Sequence, residues 1–247
     1  MSHGDSVVRP QHKMTLPTRS HRIRVAGVRL SLAAALLFVP AVSRGASADA
    51  TSSGLSAAEW ASVSLGSIDP RVFALALEAA SSAVSHGQTA PATLTVIDYS
   101  RPSTEPRMWV YDLRAHALLF QELVSHGRGS GRTMATAFSN EPESNKTSLG
   151  LFRTGETYLG QNGYSLRLDG LERGVNDRAR ERAIVMHGAP YVNAATAKAN
   201  GYLGRSLGCP AVRPEIARKL IDTVKGGGLL FAYYPDQTWL KSSDFLN

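Results

Sequence analysis

The spacing of apolar and polar residues divides this chain into segments of different kinds. Residues 30–39, LSLAAALLFV, are an apolar run interrupted only by Ser31. Residues 49–66 are rich in Ser, Ala and Gly and show no period, which reads as a flexible tether. In 70–84 the apolar positions Val72, Leu75, Ala76 and Ala79 recur at helical spacing. Asp69 is a suitable N-cap and Pro70 a suitable first helical residue, so a helix is predicted there. His86-Gly87 is expected to end it.

From residue 92 the period becomes two. TLTVIDYS (93–100), RMWVYDL (107–113) and LLFQELVSHG (118–127) are predicted strands, with 114–117 a turn. Glycines 127, 129 and 131 then mark an irregular stretch, and polar residues 132–149 a long loop. Residues 148–160 and 164–170 are further strands. VNDRARERA (175–183) is expected to be a short surface helix, and AIVMHG (183–188) a buried strand ending at His187. Residues 193–201 predict a short helix closed by Gly201, and 204–212 a glycine-bracketed loop. A helix over 213–227 and a closing strand over 229–235 complete the pattern. The expected fold is a mostly β domain over 92–247 with a few short helices, preceded by a tether and helix over 49–91.

The N-terminus alters how the charge is read. Six basic residues and no acid lie in 9–29, the apolar run follows, and Ala46-Ser47-Ala48 offers small residues for cleavage. That order describes a secretory signal peptide over 1–48. Ten residues are too few for a bilayer span, which needs about 20. The formal net charge of +7 would suit a polyanion binder. However, seven of the 27 basic residues and one of the 20 acidic residues fall in 1–48. The remainder is near neutral, so nucleic-acid binding has no support. The expected location is the periplasm or cell envelope.

Export also changes the meaning of Cys209, the only cysteine. It has no partner for an internal disulfide, which leaves an intermolecular link, an inert core residue or a reactive thiol. Its surroundings, Ser206-Leu207-Gly208-Cys209-Pro210, favour reactivity. Glycine permits close approach of backbone to substrate, and converging N–H groups could hold an oxyanion. The following helix could add its positive end and lower the thiol pKa. A thiol nucleophile also needs a base. Past residue 48 the histidines are His86, His116, His126 and His187. His86 falls at a helix end and His116 in a turn, which suits structural or solvated roles. His187 and His126 each end a strand and precede a glycine, which makes them the two candidate bases. No zinc-ligand spacing, G-x-S-x-G elbow or S-x-x-K motif is present.

Three segments carry a resemblance: HGRGSG (126–131), residues 138–193, and GRSLGCPAV (204–212). Together they resemble the murein L,D-transpeptidase catalytic-domain family, YkuD-like, in the branch with a compact S-x-G-C motif. The likeness runs through roughly residues 92–235. It implies a β-rich, sandwich- or barrel-like catalytic fold with Cys209 as nucleophile and His187 as base. The Gly188 carbonyl would orient that base, and the N–H groups of Leu207, Gly208 and Cys209 would hold the oxyanion. Ser206 and Arg205 would shape the site, with His126, Asn140 and Tyr158 as substrate-binding candidates. The implied partners are peptidoglycan stem peptides as donor and acceptor, and carbapenems as acylating ligands. No metal or organic cofactor is implied. Leu207 stands where many relatives carry histidine, and the His187–Cys209 spacing is longer than theirs. Three activities stay open: 3→3 cross-linking, L,D-carboxypeptidase hydrolysis at the same site, and a non-catalytic wall-binding module.

Overall fold

The computed structural model describes residues 54–247; the expected signal segment, 1–48, lies outside the described residues. Helix α1 (Pro70–Ser85) begins where its cap predicts, with the Asp69 carboxylate accepting from Arg71 N at 2.8 Å. It buries Val72, Phe73, Ala76, Leu77, Ala80 and Ala83. The stretch before it is not a tether from Leu55 onward. Residues Ala57–Trp60 form a short 3₁₀ helix, and the Trp60 ring packs edge-on against Phe73 and Tyr111. Its indole N–H donates to Gly54 O at 2.8 Å. One buried tryptophan outweighs a Ser/Ala/Gly composition, because burying such a ring stabilises by a few kcal/mol.

Eight strands form one sheet: β1 (Thr93–Asp98), β2 (Met108–Asp112), β3 (Ala117–Glu122), β4 (Gly150–Gly160), β5 (Gly163–Gly170), β6 (Val185–Gly188), β7 (Ala211–Val212) and β8 (Leu229–Tyr233). Their order is β3-β2-β1-β8-β4-β5-β6-β7. β1 pairs β8 and β6 pairs β7 in parallel; the other pairs are antiparallel. The last strand in sequence is thus central, between β1 and β4. Leu229, Leu230 and Phe231 are buried on both faces there, which is why the run reads as continuously apolar rather than alternating.

The predicted strand over 118–127 divides. Its first part is β3, paired with β2. Past Glu122 the chain leaves β2 and crosses to the opposite edge, where Ser125 N donates to Ala211 O at 2.9 Å and Gly127 bridges Ser206. The two sheet edges are tied together and the sheet is barrel-like. Arg107 holds the crossing: its Nε and Nη2 donate to Val124 O at 3.1 and 2.9 Å.

Helix α2 (Ala194–Asn200) is capped by Asn193 and closed by Gly201 in the left-handed conformation. Helix α3 (Pro214–Val224) buries Ala217, Leu220, Ile221 and Val224. Residues 175–183 are not a regular helix but consecutive turns. Ile184 N bonds Ala179 O and Ala183 N bonds Arg180 O, a helix-ending pair with Ala183 at φ +53 where glycine is usual. The C-terminal helix α4 (Gln237–Ser242) is an element the hydrophobic pattern did not predict. Asp236 caps it, and the Trp239 indole docks on the buried Glu172 at 2.9 Å.

Candidate functional site

The sheet places the thiol and the imidazole together. His187 on β6 lies opposite Ala211 on β7, two residues past Cys209. Both side chains line a cleft of about 590 Å³, whose wall also includes Gln161, Arg182, Tyr191, Arg205 and Leu207. Nδ1 of His187 is 2.9 Å from Gly188 O. A carbonyl only accepts, so Nδ1 carries the proton and Nε2 is left as a bare acceptor. Burial holds the His187 pKa below its ordinary value, against the pull of Gly188 O, so the ring is neutral at pH 7.

The Cys209 sulfur is nearly buried. Val185 N–H donates to Sγ at 3.5 Å, and Sγ is 3.7 Å from Ala183 O. Burial pushes the thiol pKa up, while the Val185 N–H and the Arg182 charge pull it back. The helix expected to follow the cysteine loop starts at Pro214, with β7 between it and Cys209. The resting site is therefore a neutral thiol with a neutral imidazole.

The loop carrying Cys209 is pinned from behind. Ser206 N donates to His126 O at 3.0 Å, and Arg128 N donates to Ser206 O at 2.8 Å. The Ser206 hydroxyl accepts from Gly208 N at 3.1 Å and donates to Cys209 O at 2.7 Å. Thr147 Oγ1 donates to Gly208 O at 3.2 Å. Gly208 sits at φ +131, which side chains rarely adopt, and an added Cβ would meet Ile184 Cδ1 and Lys146 O at 2.9 Å. The serine and glycine of S-x-G-C thus have structural reasons. One expectation changes: the Gly208 N–H, expected to face an oxyanion, is bonded to Ser206 Oγ.

A profile of the L,D-transpeptidase catalytic domain matches residues 65–233. The chain belongs to the L,D-transpeptidase catalytic domain family. No curated protein sequence matches. Among solved structures, the chain is similar to LD transpeptidase LdtMt1 in complex with imipenem at 17% identity and TM-score 0.36, over 57% of this chain and 59% of that one. An L,D-transpeptidase from Mycobacterium smegmatis gives 15% and 0.36, over 58% and 59%. The helical cell shape determining protein Pgp2 (K307A mutant) from Campylobacter jejuni gives 13% and 0.40, over 59% and 48%. The chain thus spans roughly half to three-fifths of these proteins' lengths.

Within this transpeptidase domain the remaining predicted residues separate. His126 is fully buried behind the loop rather than in the cleft. Its Nδ1 accepts from Arg107 Nη2 at 2.7 Å. Burial first, then the Arg107 charge, push its pKa down to about 4. Arg107, itself buried, is held down to about 10 by the same desolvation. Asn140 does not line the cleft either; its amide donates to Asp177 Oδ1 at 2.7 Å and fastens the long loop to the 171–184 turns. Tyr158 on β4 lies under the Arg167 guanidinium at 4.4 Å and does not line the cleft. Arg205 does line it, with Nη1 donating to Gly131 O at 2.9 Å. Leu207 is 61% exposed at its mouth. Five cleft residues went unnoticed in the sequence: Gln161, Asn162, Arg182, Ala183 and Tyr191. Arg182 is one arginine among three in RARER, and nothing local sets it apart. Among the described residues, no group of three or more His, Cys, Asp and Glu side chains is placed to hold a metal ion.

Proposed function

We propose that the protein is an exported L,D-transpeptidase that forms 3→3 cross-links between peptidoglycan stem peptides through a thioester on Cys209. The observation that carries this reading is the His187 Nδ1–Gly188 O bond, which leaves Nε2 free as a base in the cleft that Cys209 lines. Nε2 takes the thiol proton as Sγ attacks the carbonyl carbon between the third stem residue and the terminal D-alanine. The N–H groups of Leu207 and Cys209 stabilise the negative oxygen. Collapse breaks the C–N bond, His187 returns its proton to the departing amine, and D-alanine leaves. A side-chain amine of a second stem then attacks the thioester. Its proton passes through His187 to Sγ as the new amide forms. The signal segment expected over 1–48 would deliver this chemistry to the envelope, where stem peptides lie.

The test is D-alanine release from a tetrapeptide stem, with and without a diamino acceptor. The parent protein should release D-alanine and form the cross-linked product, and Cys209→Ala should do neither. Release by Cys209→Ala at the parent rate would sink the reading. Tripeptide as the sole product, even with acceptor present, would make it an L,D-carboxypeptidase. Sacculus binding without turnover would make it a wall-binding module.

A further inference from the structure

Three arginines alternate in the turns before β6, and their surroundings differ. Arg178 pairs with Glu141 and Glu181, and Arg180 with Glu156 and Asp169. Among the described residues, Arg182 pairs with no carboxylate. Its Nη1 donates to Ser139 O and Ser148 Oγ at 2.7 and 2.6 Å, and its Nη2 to Ser144 Oγ and Lys146 O at 3.2 and 2.7 Å. All four acceptors are neutral, so the guanidinium is immobilised without a carboxylate bonded to it. It lies against the cysteine loop: a Cβ built on Gly208 would be 3.6 Å from Nη2. It lines the same cleft as Cys209, and no aspartate or glutamate belongs to that lining. The next residue, Ala183, holds a left-handed conformation and presents its carbonyl to Sγ. Non-glycine residues in that region are strained by about 1–2 kcal/mol, and such strain concentrates at functional sites.

We propose that the Arg182 guanidinium is the fixed positive charge against which the Cys209 thiol becomes a thiolate. The proposal rests on Cys209 being the nucleophile. With both Nη nitrogens committed, Arg182 does not grip substrate through them; it acts through space on charge that develops at Sγ. A half-buried site strengthens that action, because the effective dielectric is well below that of water. The other titratable groups around the thiol are His187 on β6, Tyr191 after it, Arg205 on the cysteine loop and Tyr99 at the end of β1. Burial raises both tyrosines, Tyr191 to about 12, so neither is charged at neutral pH. Glu141 acts on Arg182 at a distance without bonding it.

The test is the pH dependence of Cys209 alkylation by iodoacetamide, read by intact mass on the full chain. It requires no acyl transfer, so it fails or succeeds independently of the D-alanine release assay. Arg182→Gln should move the alkylation midpoint up by ~1 pH unit and slow labelling at pH 7 by ~10-fold, while Arg182→Lys keeps the midpoint. The Ser144→Ala/Ser148→Ala double variant, which loosens the guanidinium but keeps its charge, should also keep it. If Arg182→Gln fails to fold, the parent protein decides: a positive charge fixed beside Sγ should favour anionic iodoacetate over iodoacetamide at Cys209 relative to their ratio on free cysteine, and an unchanged ratio would overturn the proposal. An unmoved midpoint in folded Arg182→Gln, or equal shifts in Arg182→Lys and the double variant, would overturn the proposal and leave Arg182 a latch on the long loop.

Discussion

Of the chain's His-Gly pairs, two are candidate bases, His126-Gly127 and His187-Gly188, and the structure puts them to opposite uses. His187 lines the open cleft, with its Nδ1 proton given to the next carbonyl and its Nε2 bare. His126 is sealed behind the loop, with Nδ1 occupied by the buried Arg107. The same dipeptide therefore offers a bare ring nitrogen to the cleft at the end of β6 and serves as a brace beyond the end of β3. What differs is the partner of Nδ1. A carbonyl leaves the far nitrogen free for proton transfer, whereas a buried guanidinium turns the ring into an acceptor for structure. The two act on the same loop from two sides: His126 lends its carbonyl to Ser206, and His187 shares its cleft with Cys209.

This contrast can be broken by exchanging the losses. His187→Gln should lower kcat/KM by ~10²–10⁴-fold with the melting temperature nearly unchanged. His126→Ala should instead destabilise the fold by about 3 kcal/mol in a denaturant titration, because Arg107 loses its ring acceptor in a buried setting. His126→Gln, which restores an acceptor, should cost less. A His126 variant that folds fully yet loses turnover as completely as His187→Gln would end the distinction.

The pH dependences sharpen it. The folded pKa of His126, about 4, lies below its ordinary value. The native state binds fewer protons than the unfolded state in that window. Stability is thus complete above about pH 6.5 and falls by roughly 3 kcal/mol as pH drops toward 4. His126→Gln should flatten that slope in urea titrations at stepped pH. For His187, burial lowers the pKa, so turnover should persist below the ordinary histidine midpoint before its acid limb begins. A turnover limb that tracked the His126 stability curve would contradict the assignment. The smallest expected effect lies at the turn beside the thiol. Ala183→Gly should stabilise by about 1 kcal/mol in thermal melts, since φ +53 costs glycine nothing.

Local signals predicted most elements. The Asp69-Pro70 boundary starts α1 where expected, and the alternation over 93–98 is β1. The differences arise where distant partners decide. Residues 123–127 alternate like the strand before them, but Ala211 and Ser206 capture their backbone, and neither is visible from a local pattern. Residues 175–183 have helical composition, yet the left-handed Ala183 closes them into turns. Trp60 draws a low-complexity stretch onto the core. Helix α4 did carry a signal, Asp236 as a cap ahead of Thr238 and Trp239. For the site, the S-x-G-C and His-Gly motifs drew attention to Cys209, His187 and Gly188, but motif and exposure alone could not separate His187 from His126. Asn140 and Tyr158 lay in matching segments and fall outside the cleft. Arg182 required the fold, because its distinction is the absence of an acidic partner that its neighbours possess.

In the proposed reaction Cys209 accepts an acyl group with His187 as its base. Intact-mass spectrometry after incubation with a carbapenem tests it most directly. The account predicts one covalent adduct, mapped to Cys209, absent in Cys209→Ala and formed at least ~100-fold more slowly in His187→Gln. An adduct on Cys209→Ala, or His187→Gln acylating at the parent rate while His126→Gln does not, would contradict it.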